Sequence, residues 1–133
     1  MGRFDGRVAL ITGAASGIGR ATAQRMADDG ATIVGFDRDA AGLDTVAAEV
    51  VDGGGTMTAV TGDVSKRADC MAAVDTVVAT HGRLDILANV AGVVWAEHVA
   101  DTTEEGWNRM MDINVSGTFW FAQAALPHLI ESH

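Results

Sequence analysis

No tyrosine occurs in these 133 residues, and cysteine, proline and lysine appear once each, as Cys70, Pro127 and Lys66. Without tyrosine this stretch offers no phenol as acid or base. A single thiol forms no internal disulfide, so a cystine-stapled scaffold is excluded and a reducing, cytoplasmic setting is expected. Cations are scarce: nine Lys and Arg against eighteen Asp and Glu leave a net charge of −9. That balance argues against a nucleic-acid or anionic-membrane surface, which needs clustered basic side chains. No apolar run is long enough to span a bilayer. The opening Met1-Gly2-Arg3-Phe4-Asp5-Gly6 holds no signal-type apolar core, and Gly2 lacks the Ser or Thr that a myristoylation signal requires. His81, His98, His128 and His133 show no metal-ligand spacing with each other or with Cys70, so no metal site is expected.

What is present is a globular composition, 48% hydrophobic and 20% charged, in a length that suits one domain over residues 1–133. Strand and helix patterns alternate throughout, as in a parallel sheet covered on both faces. The apolar runs Val8 to Ile11, Thr32 to Phe36, Met57 to Val60 and Leu84 to Ala88 read as strands. Helical patterns follow each of the first three: Arg20 to Ala27, stopped by Gly30; Leu43 to Val50; and Cys70 to Val78, closed by His81-Gly82. A loop from Asn89 to Asp101 leads to Thr102-x-x-Glu105, which predicts a capping box. A long helical region follows, in which Pro127 should kink or tighten the last turns. The alternation calls for a fifth strand next. The fold class is therefore α/β, a Rossmann-like doubly wound parallel sheet truncated after about four strands.

The densest signal is Thr12-Gly13-Ala14-Ala15-Ser16-Gly17-Ile18-Gly19, between the first strand and its helix. A glycine-rich turn at a helix start presents unpaired N–H groups and a positive dipole end, which together hold phosphate. Glycines let the backbone turn sharply and approach a pyrophosphate closely. Asp37 ends the second strand, eighteen residues after Gly19, where an acidic side chain can accept from ribose hydroxyls. Taken alone, Asp37 reads equally as a helix-starting acid before Ala40-Ala41. Together the two features predict a dinucleotide site.

These residues resemble the short-chain dehydrogenase/reductase family over essentially the whole chain. The T-G-x-x-x-G-x-G spacing of Thr12 to Gly19 is similar to that family's cofactor motif. Asn89-Val90-Ala91-Gly92 resembles its N-N-A-G segment, with Val90 in place of the second Asn. Asp112-Ile113-Asn114-Val115-Ser116-Gly117 resembles the segment that supplies its active-site Asn. The resemblance implies that Gly13, Ser16, Gly17, Ile18 and Gly19 receive the pyrophosphate and that Asp37 receives the adenine ribose. It further implies that Asp63 and Val64 hold adenine, that Asn89, Ala91 and Gly92 approach the second ribose, and that Asn114 serves the proton relay.

The cofactor it implies is NAD rather than NADP, because the Asp37 carboxylate repels a 2′-phosphate and Ser16 stands where NADP-preferring relatives often carry a basic residue. Arg38 pulls the other way. The implied reaction is hydride transfer between nicotinamide and a small carbonyl or secondary alcohol, in a homo-oligomer with neither nucleic-acid nor membrane partners. The alternative is a dinucleotide-binding fragment or module without catalysis. The family's Y-x-x-x-K acid/base is missing from these residues, and Lys66 lies too early to supply its lysine. Other residues keep structural readings. Trp95 with Val93 and Val94 either lines an apolar substrate pocket or covers the sheet end. Trp107, Phe119, Trp120 and Phe121 are expected to pack the long helix against the sheet or a partner, and Cys70 to sit in the core.

Overall fold

A computed structural model describes residues 2–133. The first three strands are β1 (Val8–Thr12), β2 (Thr32–Asp37) and β3 (Thr56–Thr61), followed in turn by helices α1 (Gly17–Asp28), α2 (Ala40–Asp52) and α3 (Arg67–His81). The short strand β4 (Ile86–Ala88) comes next, then a 3₁₀ turn at Val99–Asp101 and helix α4 (Glu104–Met110). A π-helical segment, Met111–Ser116, joins α4 to α5 (Gly117–Glu131). Among the described residues the strands form a parallel sheet in the order β3-β2-β1-β4. This is the expected Rossmann-like arrangement.

All five residues of β1 are buried, as befits a strand between two neighbours with helices on both faces. Its side chains alternate between two cores. Ala9 and Ile11 face α1 and α2, packing with Ala23, Ala27, Leu43, Val46 and Val50. Val8 and Leu10 face α3 and α5, packing with Cys70, Val74, Val77, Phe121 and Ala125. Phe36 of β2 meets Phe121 edge-to-face, with ring centroids 4.9 Å apart, the arrangement aromatic quadrupoles favour. Burial pushes the Cys70 thiol up to about 11, so it behaves as a small apolar residue, as expected.

Two local expectations change. Strand β4 is shorter than the run Leu84 to Ala88, because only Ile86, Leu87 and Ala88 pair with β1. The cap of α4 is Thr103, whose side chain accepts from the Gly106 N–H at 3.0 Å. Thr102 instead donates its hydroxyl to the His98 carbonyl at 3.1 Å, closing the 3₁₀ turn. The Thr102–Glu105 capping box therefore does not form. Helix α5 runs through Pro127 to Glu131. Of its aromatics Phe121 is buried, whereas Phe119, like Trp107 of α4, is 56% exposed. No helix among the described residues is long and apolar enough to cross a membrane.

Asp85 anchors the lower end of the sheet. Its buried carboxylate accepts from the Val8 N–H at 2.8 Å and from Arg83 Nε at 2.8 Å. The Arg83 hydrogen bonds hold the Asp85 carboxyl below the usual range, outweighing burial, with help from the Val8 N–H. A carboxyl lowered on folding adds stability above its unfolded pKa of about 4 and loses it as pH falls through the native value. We expect Asp85→Ala to cost about 2–3 kcal/mol at neutral pH by orphaning the Val8 N–H. The difference from the unmutated chain should shrink in melts taken below about pH 4. An equal deficit at all pH values would contradict this account.

Candidate dinucleotide site

Helix α1 begins abruptly. The chain leaves β1 at Thr12 and passes Gly13 at φ +66° and Gly17 at φ +53°, both in the left-handed region. Ser16 occupies the N-cap position, but its side chain makes no capping hydrogen bond, and the first turn holds no acid. The amides of Gly17, Ile18 and Gly19 thus lack both an intrahelical acceptor and a side-chain cap, at the positive end of the helix dipole. A side chain at Gly19 would strike the Gly13 carbonyl, and one at Gly13 would come within 2.9 Å of the Ala91 Cα. Gly17 differs. Apart from its chain neighbours and the backbone of its own helix, no protein atom lies within 4 Å of where its Cβ would stand, so it faces open space. Ile18 beside it is 76% exposed.

The second wall comes from the ends of β2 and β3. One Asp37 oxygen accepts from the Ala15 N–H and the other from the Asp39 N–H, each at 3.1 Å. The acid that starts α2 is Asp39, which accepts from the Gly42 N–H at 3.0 Å. Asp37 is therefore not the cap of α2. Its carboxylate is braced by backbone donors and keeps lone pairs for further donors. Gly62 donates to the Asp37 carbonyl at 3.1 Å, joining the two strand ends. Asp63 accepts from both the hydroxyl and the N–H of Ser65, at 2.7 and 2.9 Å. The hydroxyl bond is the main reason its carboxyl lies below the usual range, against burial, with the Ser65 N–H and the charges of Lys66 and Arg38 assisting.

The third wall is the chain after β4. Buried Thr12 accepts from both the Val90 and the Ala91 N–H at 3.0 Å, while its hydroxyl points to the Ala88 carbonyl at 3.5 Å. One threonine therefore ties the glycine loop to the Asn89–Gly92 segment. The Asn114 amide holds both backbone groups of Val93, accepting from its N–H and donating to its carbonyl at 2.8 Å each.

These walls enclose a cleft of about 370 Å³. Gly13, Ser16, Gly17, Ile18, Gly19, Asp37, Arg38, Asp63, Val64, Ala91 and Gly92 all line it. It sits at the carboxyl ends of the strands, where the order reverses between β1 and β4, the usual ligand crevice of open α/β sheets. Asn89 and Asn114 are not on its lining. Asn89 turns away and donates to the Thr118 carbonyl at 3.3 Å, so its side chain is not brought to the cleft. Gly62, Val90 and Ile113, to which the sequence assigns no site role, also line the cleft. Thr12 was also missed as a site residue. Its signal is a polar residue ending an otherwise apolar buried run. Of the three residues considered for a substrate pocket, Val93 lines the cleft, Val94 is 91% exposed, and Trp95 packs against Gly106 of α4.

A family model described as short chain dehydrogenase matches residues 7–133. The chain belongs to the short-chain dehydrogenase/reductase family. It is 41% identical over 130 residues to a D-threitol dehydrogenase of Mycolicibacterium smegmatis, covering 98% of this chain and 50% of that one. Among solved structures, a carveol dehydrogenase from Mycobacterium avium in complex with NAD superposes with TM-score 0.92 at 32% identity, covering 99% of this chain and 52% of that one. A metagenomic short-chain oxidoreductase in complex with NADP gives 0.93 at 32% identity, covering 97% and 59%. The chain spans about half the length of the curated relatives it matches. Neighbours in the family thus include complexes with either nucleotide.

Proposed function

We propose that this chain is the dinucleotide-binding half of an NAD-dependent short-chain oxidoreductase. The observation that carries the reading is the convergence of an uncapped α1 N-terminus, open space over Gly17 and a braced Asp37 carboxylate on one cleft. The fit is chemical: amides for pyrophosphate, a carboxylate for a ribose diol, and close backbone approach elsewhere. Gly17, Ile18 and Gly19 would hold the pyrophosphate through backbone N–H groups. Asp37 would receive the adenine ribose, Asp63 and Val64 the adenine, and the Ala91-Gly92 backbone the second ribose. A bound nicotinamide supplies the hydride acceptor or donor for a small alcohol or ketone. Asn114 would serve the proton relay from behind, by holding Val93 in place, and Asn89 would tie the end of β4 to α5 through Thr118.

The proton-moving phenol is not among these residues, so in the whole protein it would come from outside this stretch. A non-catalytic binding module is the second reading, favoured by that same missing tyrosine. Turnover of NAD with secondary alcohols by the whole protein separates the two. The single buried thiol supports a cytoplasmic setting, and the exposed apolar residues Trp107, Phe119, Leu126 and Ile130 support self-association.

Calorimetric titration of the 133-residue chain with NADH and NADPH tests the reading. One saturable site with NADH preferred is expected, and the absence of binding to either would overturn it. In Asp37→Ala the NADH affinity should fall about tenfold and the preference over NADPH relax, since both the ribose acceptor and the charge repelling a 2′-phosphate are gone. An unchanged preference would assign discrimination to Arg38 instead.

A further inference from the structure

Helix interiors favour Ala over Gly, yet Gly117 opens α5 with ordinary helical angles, φ −59° and ψ −44°. Its lack of a side chain therefore serves space, not conformation. A Cβ there would stand 2.9 Å from the Val64 carbonyl oxygen and 3.0 Å from the Val64 Cβ. The same carbonyl accepts from the Cys70 thiol at 3.3 Å. Val64 is thus gripped between α3 and α5, while Gly117 itself is not on the lining of the cleft. A π-helical segment, Met111–Ser116, runs directly into it. Along this continuous helix Ile113 lines the cleft, Asn114 reaches Val93 and Gly117 meets Val64.

We propose that Gly117 is a positioning residue: its bare backbone sets the depth of the Val64 wall at the adenine end of the cleft. This rests on the dinucleotide reading above. In Gly117→Ala the methyl group pushes Val64 or α5 outward, and the adenine end loses its fit while the glycine loop is untouched. The matched control is Gly106→Ala, which places a methyl 2.9 Å from Trp95, a residue that lies off the cleft lining.

The test is titration of each folded variant with AMP and separately with nicotinamide mononucleotide, beside thermal melts. Gly117→Ala should raise the Kd for AMP about tenfold and leave that for nicotinamide mononucleotide within twofold. Gly106→Ala should change neither. Equal loss for both ligands in Gly117→Ala, or loss for neither, would overturn the assignment. Should that variant not fold, amide resonances of the unmutated chain decide: on AMP addition Gly117 should shift together with Val64, and a silent Gly117 beside a shifted Val64 would overturn it. If the unmutated chain binds no AMP at all, the dinucleotide reading fails and the assignment with it.

Discussion

Gly17→Val should abolish measurable NADH binding, raising the Kd at least 100-fold, about 2.7 kcal/mol. Two effects act together. The backbone at Gly17 has φ +53°, a conformation that costs a β-branched residue on the order of 1–3 kcal/mol. The new side chain would also project into the space that no protein atom occupies, which is where the phosphate has to approach the α1 amides. Gly54 separates the two effects. It has φ +89°, also has no atom beyond its chain neighbours within 4 Å of its Cβ position, and lies in the turn between α2 and β3, off the cleft lining. Gly54→Val should therefore lower the melting temperature comparably while leaving NADH affinity unchanged. Undiminished affinity in Gly17→Val, or an equal loss in Gly54→Val, would remove the glycine loop from the proposed site. Circular dichroism shows whether each variant is folded.

The parts of the fold legible in the sequence are those whose causes are local. Val8 to Ile11 reads as a buried strand because β1 is flanked by strands and covered on both faces, so the residues before its closing Thr12 are all apolar. Gly82 marks the end of α3 because a left-handed residue after a helix is usually glycine, and it has φ +73°. The glycine loop and Asp37 are legible because their spacing encodes a turn and the length of one strand-helix-strand unit.

Features that depend on distant partners were not legible. Thr102 and Thr103 are equally good caps by composition, and only the 3₁₀ turn at Val99–Asp101 selects Thr103. Met111 to Ser116 carries no mark distinguishing a π turn from an α turn. Its geometry coincides with Asn114 engaging Val93, 21 residues away. Asn89 sits in a motif whose neighbours line the cleft, but its own amide is taken by Thr118.

Thr12 is the most consequential residue of that second kind, since its hydroxyl meets Val90 and Ala91 almost 80 residues further on, at separations of 78 and 79. A hydroxyl has two acceptor lone pairs and one proton, and here two N–H groups take the lone pairs while the proton faces the Ala88 carbonyl. Thr12→Val keeps the shape and removes all three interactions. Two half-buried amides are then orphaned, at about 1–3 kcal/mol for each amide that becomes buried without a partner. A total loss of about 2–3 kcal/mol is expected, lowering the melting temperature by roughly 8 °C for a domain of this size.

Function should suffer as well, because the Ala91-Gly92 backbone would no longer be held against Gly13, and NADH affinity should drop about tenfold. Thr12→Ser keeps the hydroxyl and gives up only a methyl group, so it should retain NADH affinity within about twofold, well inside the 1.4 kcal/mol of a tenfold change. The pair tests the hydroxyl rather than the packing. If Val and Ser variants lose stability equally, the methyl group holds the two loops together and the hydrogen-bonded hub does not. If Thr12→Val is destabilised but binds NADH as tightly as the unmutated chain, the Asn89–Gly92 segment has no part in the cleft's grip on the dinucleotide.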